Sequence, residues 1–151
     1  MLLKYSFSDL MDLDAPVLFS MSYTIPNAAI RASDKILAFK NFWVFYDSTS
    51  ASLATRSFPM QYSSTEETSN TVIFRLPDTF NWVPWDKTFA YSCSCIGFKS
   101  SLKQIDRTMT YSDLFQVFRK EYDPVETYQH YRRCITKMSE VSNQWIILEA
   151  P

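Results

Sequence analysis

A chain of 151 residues with one glycine has few positions that can turn through positive φ without strain and no means of building a phosphate-cradling loop. Nucleotide loops and dinucleotide fingerprints place several glycines where backbone must approach a phosphate, so both classes are excluded. Regular structure must then come from side-chain patterning, and the clearest pattern has period two. In Val17–Ile25 the residues Val17, Phe19, Met21, Tyr23 and Ile25 fall on one face, and Ser20, Ser22 and Thr24 fall on the other. Such a strand has one core-facing side and one wet side, as in an antiparallel sheet. Thr71–Leu76 and Lys87–Phe98 also read as strands, with Phe89, Tyr91, Cys93 and Cys95 on one face of the second.

Helix signals interrupt this pattern. Ser33 is a candidate N-cap for a helix reaching Tyr46, with Ile36, Phe39, Trp43 and Tyr46 sharing a stripe. Thr110-Tyr111-Ser112-Asp113 has capping-box spacing ahead of Leu114, Val117 and Phe118, which predicts a short helix. Asp123-Pro124-Val125-Glu126 combines an N-cap, Pro at the first helical position and an acid in the first turn, and predicts a helix to about Met138. Ser142-Asn143 then leads into a last strand, Gln144–Leu148. Eleven of the 24 residues from Asp47 to Asn70 are Ser or Thr, a composition that favours local side-chain to backbone bonding and predicts a long connection, with one short edge strand near Phe58–Tyr62. The expectation is an α+β fold, a mostly antiparallel sheet with helices packed against it. It forms a single domain over residues 16–151, preceded by an N-terminal arm over residues 1–15.

A chain of this length can bury roughly 68–70% of its unfolded surface, and 46% hydrophobic against 21% charged residues places it far from disorder. Fifteen Lys and Arg balance sixteen Asp and Glu, so no bulk field draws it to nucleic acid or lipid. The longest apolar run, Phe42–Tyr46, is too short to span a bilayer, and the first residues do not form a secretory signal. Three cysteines cannot all pair, and none of the five asparagines begins an N-x-Ser/Thr acceptor. A protein of a reducing compartment, soluble or at most peripheral to membrane, is expected from these features.

Candidate chemistry is sparse. His130 is the only histidine, and Cys134 follows four residues later on one predicted helix face. No glycine-bearing oxyanion turn lies beside them. Cys93-x-Cys95 offers two thiols on one strand face, but a structural zinc needs four ligands at familiar spacing. The expectation is no enzyme activity, no metal, no cofactor and no small-molecule substrate. Contact surfaces are better represented. Phe80, Trp82, Val83 and Trp85 lie in a Pro-broken connection rich in contact area. Lys99, Lys103, Arg107, Arg119, Lys120, Arg132, Arg133 and Lys137 face five acids in the same stretch, a local excess that would serve phosphates or headgroups if gathered on one side. Tyr111-Ser112-Asp113-Leu114 matches the Tyr-x-x-Leu pattern of trafficking signals. At the N-terminus, Leu2, Leu3, Phe7, Leu10 and Leu13 form an apolar arm set off by Pro16, too short to fold alone and therefore expected to dock on its own domain or on a neighbour.

The order of these elements resembles the globular core of rhabdovirus matrix proteins. The positions that carry the resemblance are the strand Leu18–Ile25, the helix Ser33–Tyr46, the Leu76-Pro77 step, the strand Thr88–Ile96, and the ending Tyr128–Met138 followed by Trp145-Ile146-Ile147-Leu148-Glu149. The Lys-rich N-terminus and Pro-Pro-x-Tyr motif of many animal-virus members are absent, so a short plant- or insect-virus member fits best. The resemblance implies a structural protein of the host cytoplasm or virion interior, peripheral to membrane, that self-associates through an arm and contacts the nucleoprotein–RNA complex and the anionic inner membrane face. The alternative expectation is a small viral accessory protein that binds nucleic acid or a host protein through the basic set.

Overall fold

The computed structural model describes residues 1–41, 46–83 and 88–151, and for Tyr23, Pro124 and Glu126 the backbone alone. The chain forms two compact units, Met1–Ile30 and Arg31–Pro151. In the first, β1 (Leu2–Phe7) and β2 (Phe19–Tyr23) make a two-stranded antiparallel ribbon.

The second unit is built mainly of strands. They are β3 (Ile30–Ser33, starting at the boundary), β4 (Ile36–Lys40), β5 (Met60–Gln61), β6 (Glu66–Arg75), β7 (Asn81–Trp82) and β8 (Phe89–Ser92). Then come β9 (Ile96–Ile105), β10 (Thr108–Val117), β11 (Glu121–Tyr122), the helix α1 (Pro124–Ser142) and β12 (Trp145–Glu149). One antiparallel sheet runs β6-β10-β9-β8, a second runs β3-β4-β12-β7, and β11 pairs with β5. Strand accounts for 46% of the chain and helix for 14%, so the fold is β-rich with one described α-helix. The expected α+β arrangement of helices packed against a sheet is thereby corrected.

Two of the three expected helices are strands, for identifiable reasons. Ser33 does not cap a helix. Its Oγ accepts from the Lys35 backbone N–H at 3.2 Å and closes the turn between β3 and β4, the alternative use of the same side chain. Phe42–Phe45, the rest of that expected helix, lie outside the described residues. In β10 the inward positions Met109, Tyr111, Asp113, Phe115 and Val117 are all buried and alternate with Thr110, Ser112, Leu114 and Gln116. Ten residues of strict alternation outweigh a four-residue capping box. This also buries Tyr111 and removes the Tyr-x-x-Leu pattern from the surface. The first of these lost helices bears on the matrix resemblance, since Ser33–Tyr46 is one of its quoted positions and Ile36–Lys40 within it is strand.

The third helix forms as its start signal requires. The Asp123 side chain accepts from the Val125 backbone N–H at 2.8 Å, and Pro124 occupies the first turn, where no donor is needed. Tyr128, Tyr131, Cys134, Ile135 and Met138 recur at helical spacing and are buried. They pack against Ile96, Phe98, Phe115 and Val117 from the inner face of the larger sheet. A second core joins Leu76, Phe80 and Met109 to Ile146 and Leu148 of β12.

The single glycine, Gly97, lies in β9 beneath the ring of Phe118, where a Cβ would come within 2.8 Å of Cζ. It serves close approach and not a turn. The positive-φ positions among the described residues are Asn27 and Asp106, whose short polar side chains tolerate the left-handed region. Asp106 turns the β9–β10 hairpin, and beside it the Arg107 guanidinium donates to the Phe80 carbonyl at 2.6 Å.

Candidate functional site

Among the described residues the N-terminal ribbon carries the most exposed apolar surface. Tyr5 stands opposite Met21 and Phe7 opposite Phe19, while Lys4 and Ser6 meet Ser22 and Ser20 on the other face. The ribbon is therefore apolar on one side and polar on the other. Tyr5, Phe7, Phe19 and Met21 are each at least half exposed. Phe19 and Met21, expected to face a core, do not, because a two-stranded ribbon has no second layer of its own; the Tyr23 side chain is outside the described residues. Backbone bonds close both ends, from Ser8 N–H to the Leu18 carbonyl at 2.8 Å and from Thr24 N–H to the Met1 carbonyl at 2.9 Å.

The loop between the strands is locally ordered by its acids. Asp9 Oδ1 accepts from the Met11 N–H at 2.9 Å and Asp12 Oδ1 from the Asp14 N–H at 3.1 Å, both turns in which an aspartate side chain mimics backbone. Of the expected arm residues, Leu2, Leu3 and Phe7 lie on β1 and Leu10 and Leu13 in this loop, and all five are exposed. Pairing of residues 2–7 with 19–23 was not visible in the sequence.

The described part of the aromatic connection packs inward. Phe80 is buried and Trp82 half-buried against the second core, where β7 pairs with β12. Val83 is at the edge of exposure, and Trp85 lies outside the described residues.

The basic residues are divided among four places. Lys99 and Lys103 stand on the outer face of the larger sheet, opposite the face that α1 covers. Arg107 is held at a hairpin tip by the Phe80 and Pro77 carbonyls. Arg119 and Lys120 are exposed between β10 and β11. Arg132, Arg133 and Lys137 lie on the outer side of α1, where Arg132 donates to the Ala51 carbonyl, Arg133 stacks on Tyr91 and Lys137 pairs with Glu140.

The expected Cys134–His130 pair is divided by burial. Cys134 is fully buried, and burial pushes its thiol up to about 12, so it has almost no thiolate near neutral pH. His130 is exposed, with Nδ1 3.4 Å from the Tyr91 hydroxyl. The sequence placed Cys93 and Cys95 on one strand, but they flank Ser94 in the turn between β8 and β9, with their sulfurs 2.8 Å apart. Cys93 is half-buried and Cys95 wholly buried, and both are free. The hydrogen bond from Cys95, then backbone N–H groups and the field of His130, lower Cys93 to about 6, while the same pairing pushes Cys95 up. No cluster of three or more His, Cys, Asp or Glu side chains able to hold a metal occurs among the described residues.

One buried polar group escaped the sequence reading. Asp113 takes an inward position in β10, where its Oδ1 accepts from the Tyr46 hydroxyl at 3.0 Å and from Asn70 Nδ2 at 2.9 Å. An acid within the inward register of an otherwise apolar strand is the signal that could have found it.

No family model matches this chain, and no curated protein matches it. Among solved structures, it resembles the crystal structure of a putative protease from Parabacteroides distasonis ATCC 8503, with a TM-score of 0.63 over 78% of this chain at 14% identity. The match spans 24% of that protein, so the chain corresponds to about a quarter of its length. The likeness is one of fold. No described helix is long and apolar enough to cross a membrane.

Proposed function

We infer that this chain is a non-enzymatic assembly module that associates with a second copy of itself through the apolar face of its N-terminal ribbon. The observation that carries this reading is the exposure of Tyr5, Phe7, Phe19 and Met21 on one side of a sheet of only two strands. An isolated two-stranded hairpin is marginal in water, and contiguous exposed apolar surface marks a contact site. The exposed parts of these four side chains amount to a few hundred Å², a substantial part of the roughly 800 Å² each partner contributes to a standard interface.

A second copy suits this face by charge and by symmetry. Lys4 is the only charged residue in the two strands, so identical ribbons meet without like-charge repulsion on their apolar sides. An isologous two-fold contact lays apolar face on apolar face and can set the Asp9, Asp12 and Asp14 loops at opposite ends. Among the described residues each strand pairs only with the other, which leaves each an edge able to pair with another strand. This retains the self-associating part of the matrix-like expectation. Division of the basic residues among four places favours it over a nucleic-acid-binding regulator, which needs cations gathered along a phosphate track.

The likeness to part of a larger protein of the protease description does not favour catalysis, because the thiol paired with histidine in the sequence is fully buried. Removal of residues 1–30 tests the reading. The remaining unit should unfold cooperatively and stay monomeric; association unchanged by the deletion would place the contact elsewhere.

A further inference from the structure

We propose that Cys93 and Cys95 form a redox-responsive thiol pair oxidised by hydroperoxides, with Cys93 as the attacking sulfur and Cys95 as the resolving one, closing a reversible disulfide within the β8–β9 turn. Three geometric facts carry this. The two sulfurs stand 2.8 Å apart, closer than unbonded sulfurs ordinarily approach, so bond formation needs almost no travel. Their exposure is unequal: Cys93 reaches the surface and can meet a small oxidant, while Cys95 is wholly buried and can meet only Cys93. The backbone holds both residues in place, through the Cys93 N–H to the Ile96 carbonyl at 2.9 Å and the Phe118 N–H to the Cys95 carbonyl at 2.7 Å.

The chemistry follows from these positions. The Cys93 thiolate attacks one peroxide oxygen, the O–O bond breaks, and the leaving oxygen takes a proton, giving a sulfenic acid on Cys93. The Cys95 sulfur then attacks Cys93 Sγ; the S–S bond forms, the S–O bond breaks, and the departing oxygen leaves as water with the Cys95 proton. Two electrons pass from the thiol pair to the peroxide, and a dithiol reductant reverses the change by thiol–disulfide exchange.

Electrostatics support the assignment of roles. With its thiol lowered to about 6, Cys93 is mostly thiolate at neutral pH, while Cys95 and Cys134 are held as thiols. An unperturbed thiol of pKa about 8.5 is only a few per cent ionised there, so Cys93 holds roughly thirty-fold more thiolate. Lower basicity weakens the nucleophile about tenfold, leaving a net rate advantage of about threefold. The distinguishing property of the pair is thus the partner waiting for the sulfenic acid, more than the speed of the first step.

The test treats the folded full-length chain with hydrogen peroxide and maps its cysteines by peptide mass. The expected result is loss of two hydrogens located to a Cys93–Cys95 bridge, restored by dithiothreitol, with Cys134 unmodified. In Cys95→Ala the sulfenic acid should persist on Cys93 and be captured by a dione probe; in Cys93→Ser the native-state reaction should vanish. A bridge involving Cys134, a bridge between chains, or over-oxidation of Cys93 in the parent protein while Cys95 stays free would overturn the proposal. The bridge in the parent is read without any variant, so a misfolded Cys95→Ala chain does not remove the test.

Discussion

Phe7 and Phe19 face each other across the ribbon with ring centroids 4.8 Å apart, yet they remain 54% and 52% exposed. Cross-strand aromatic pairs stabilise a hairpin by up to roughly 1 kcal/mol, less than is needed to hold one in water without further burial. Replacing either ring with serine should weaken self-association by at least about tenfold, since burying a phenylalanine is worth about 1.5–3 kcal/mol. Ser6→Glu and Ser20→Glu, on the polar face, should change it little. Dimer dissociation constants of the four variants check this, and equal effects from both faces would contradict the facial assignment.

The Asp113 carboxyl gathers the Tyr46 hydroxyl and the Asn70 amide at the centre of the larger sheet. Asp113→Ala leaves both donors without this acceptor and should cost roughly 1–3 kcal/mol in denaturant unfolding. Tyr46→Phe removes one donor while Asn70 still serves Asp113, and should cost less, about 1 kcal/mol. If Tyr46→Phe proves the more damaging, the Tyr46 hydroxyl, which also accepts from Asn70 Nδ2 at 3.2 Å, and not the Asp113 carboxylate is the hub of the cluster.

Burial raises the hydroxyls of Tyr46, Tyr62, Tyr111 and Tyr122 above their ordinary value of 10.0. A raised folded value means that the fold favours the neutral form. These groups therefore contribute stability that is fully present below about pH 10 and lost as pH rises beyond it. The unfolding midpoint should fall steeply above pH 10, with these phenolates appearing together with loss of structure. Ionisation of all nine tyrosines near pH 10 in a protein that stays folded would show that the four are not buried as described.

Alkylation separates the three thiols. The Cys93 rate should stay level from neutral pH down and decline only as pH falls through about 6, because its thiolate is lowered by Cys95, by backbone N–H groups and by His130. Cys134 should react only on unfolding. A Cys93 rate that climbs tenfold for each pH unit between 6 and 8 would mean an unperturbed thiol.

Legibility in the sequence followed the strength and length of each pattern. The alternation of Phe89 and Tyr91 with Ala90 and Ser92, the Asp123-Pro124 helix start and the closing strand Trp145–Glu149 were all readable, since each depends on local geometry. Ile36 and Phe39, three residues apart, share a helix stripe but fall on opposite faces of a strand, and β4 is half-buried on both faces, so their spacing pointed to the wrong element. Cys93–Cys95 looked like strand because the β8–β9 turn contains no Gly, Asn or Pro to mark it. At the candidate site the apolar N-terminus and the strand at Phe19–Tyr23 were both readable, but their pairing was hidden by Pro16 and three aspartates between them. Burial separated Cys134 from His130, and four-residue spacing carries no information about which of two helix positions meets the core.

Self-association through the ribbon is tested most directly by sedimentation equilibrium of the intact, reduced chain over a wide concentration range at two salt concentrations. An apolar contact predicts mass that rises with concentration to at least twice that of the 17.7 kDa chain and holds or strengthens at high salt. A single species at the monomer mass across the whole range would contradict it.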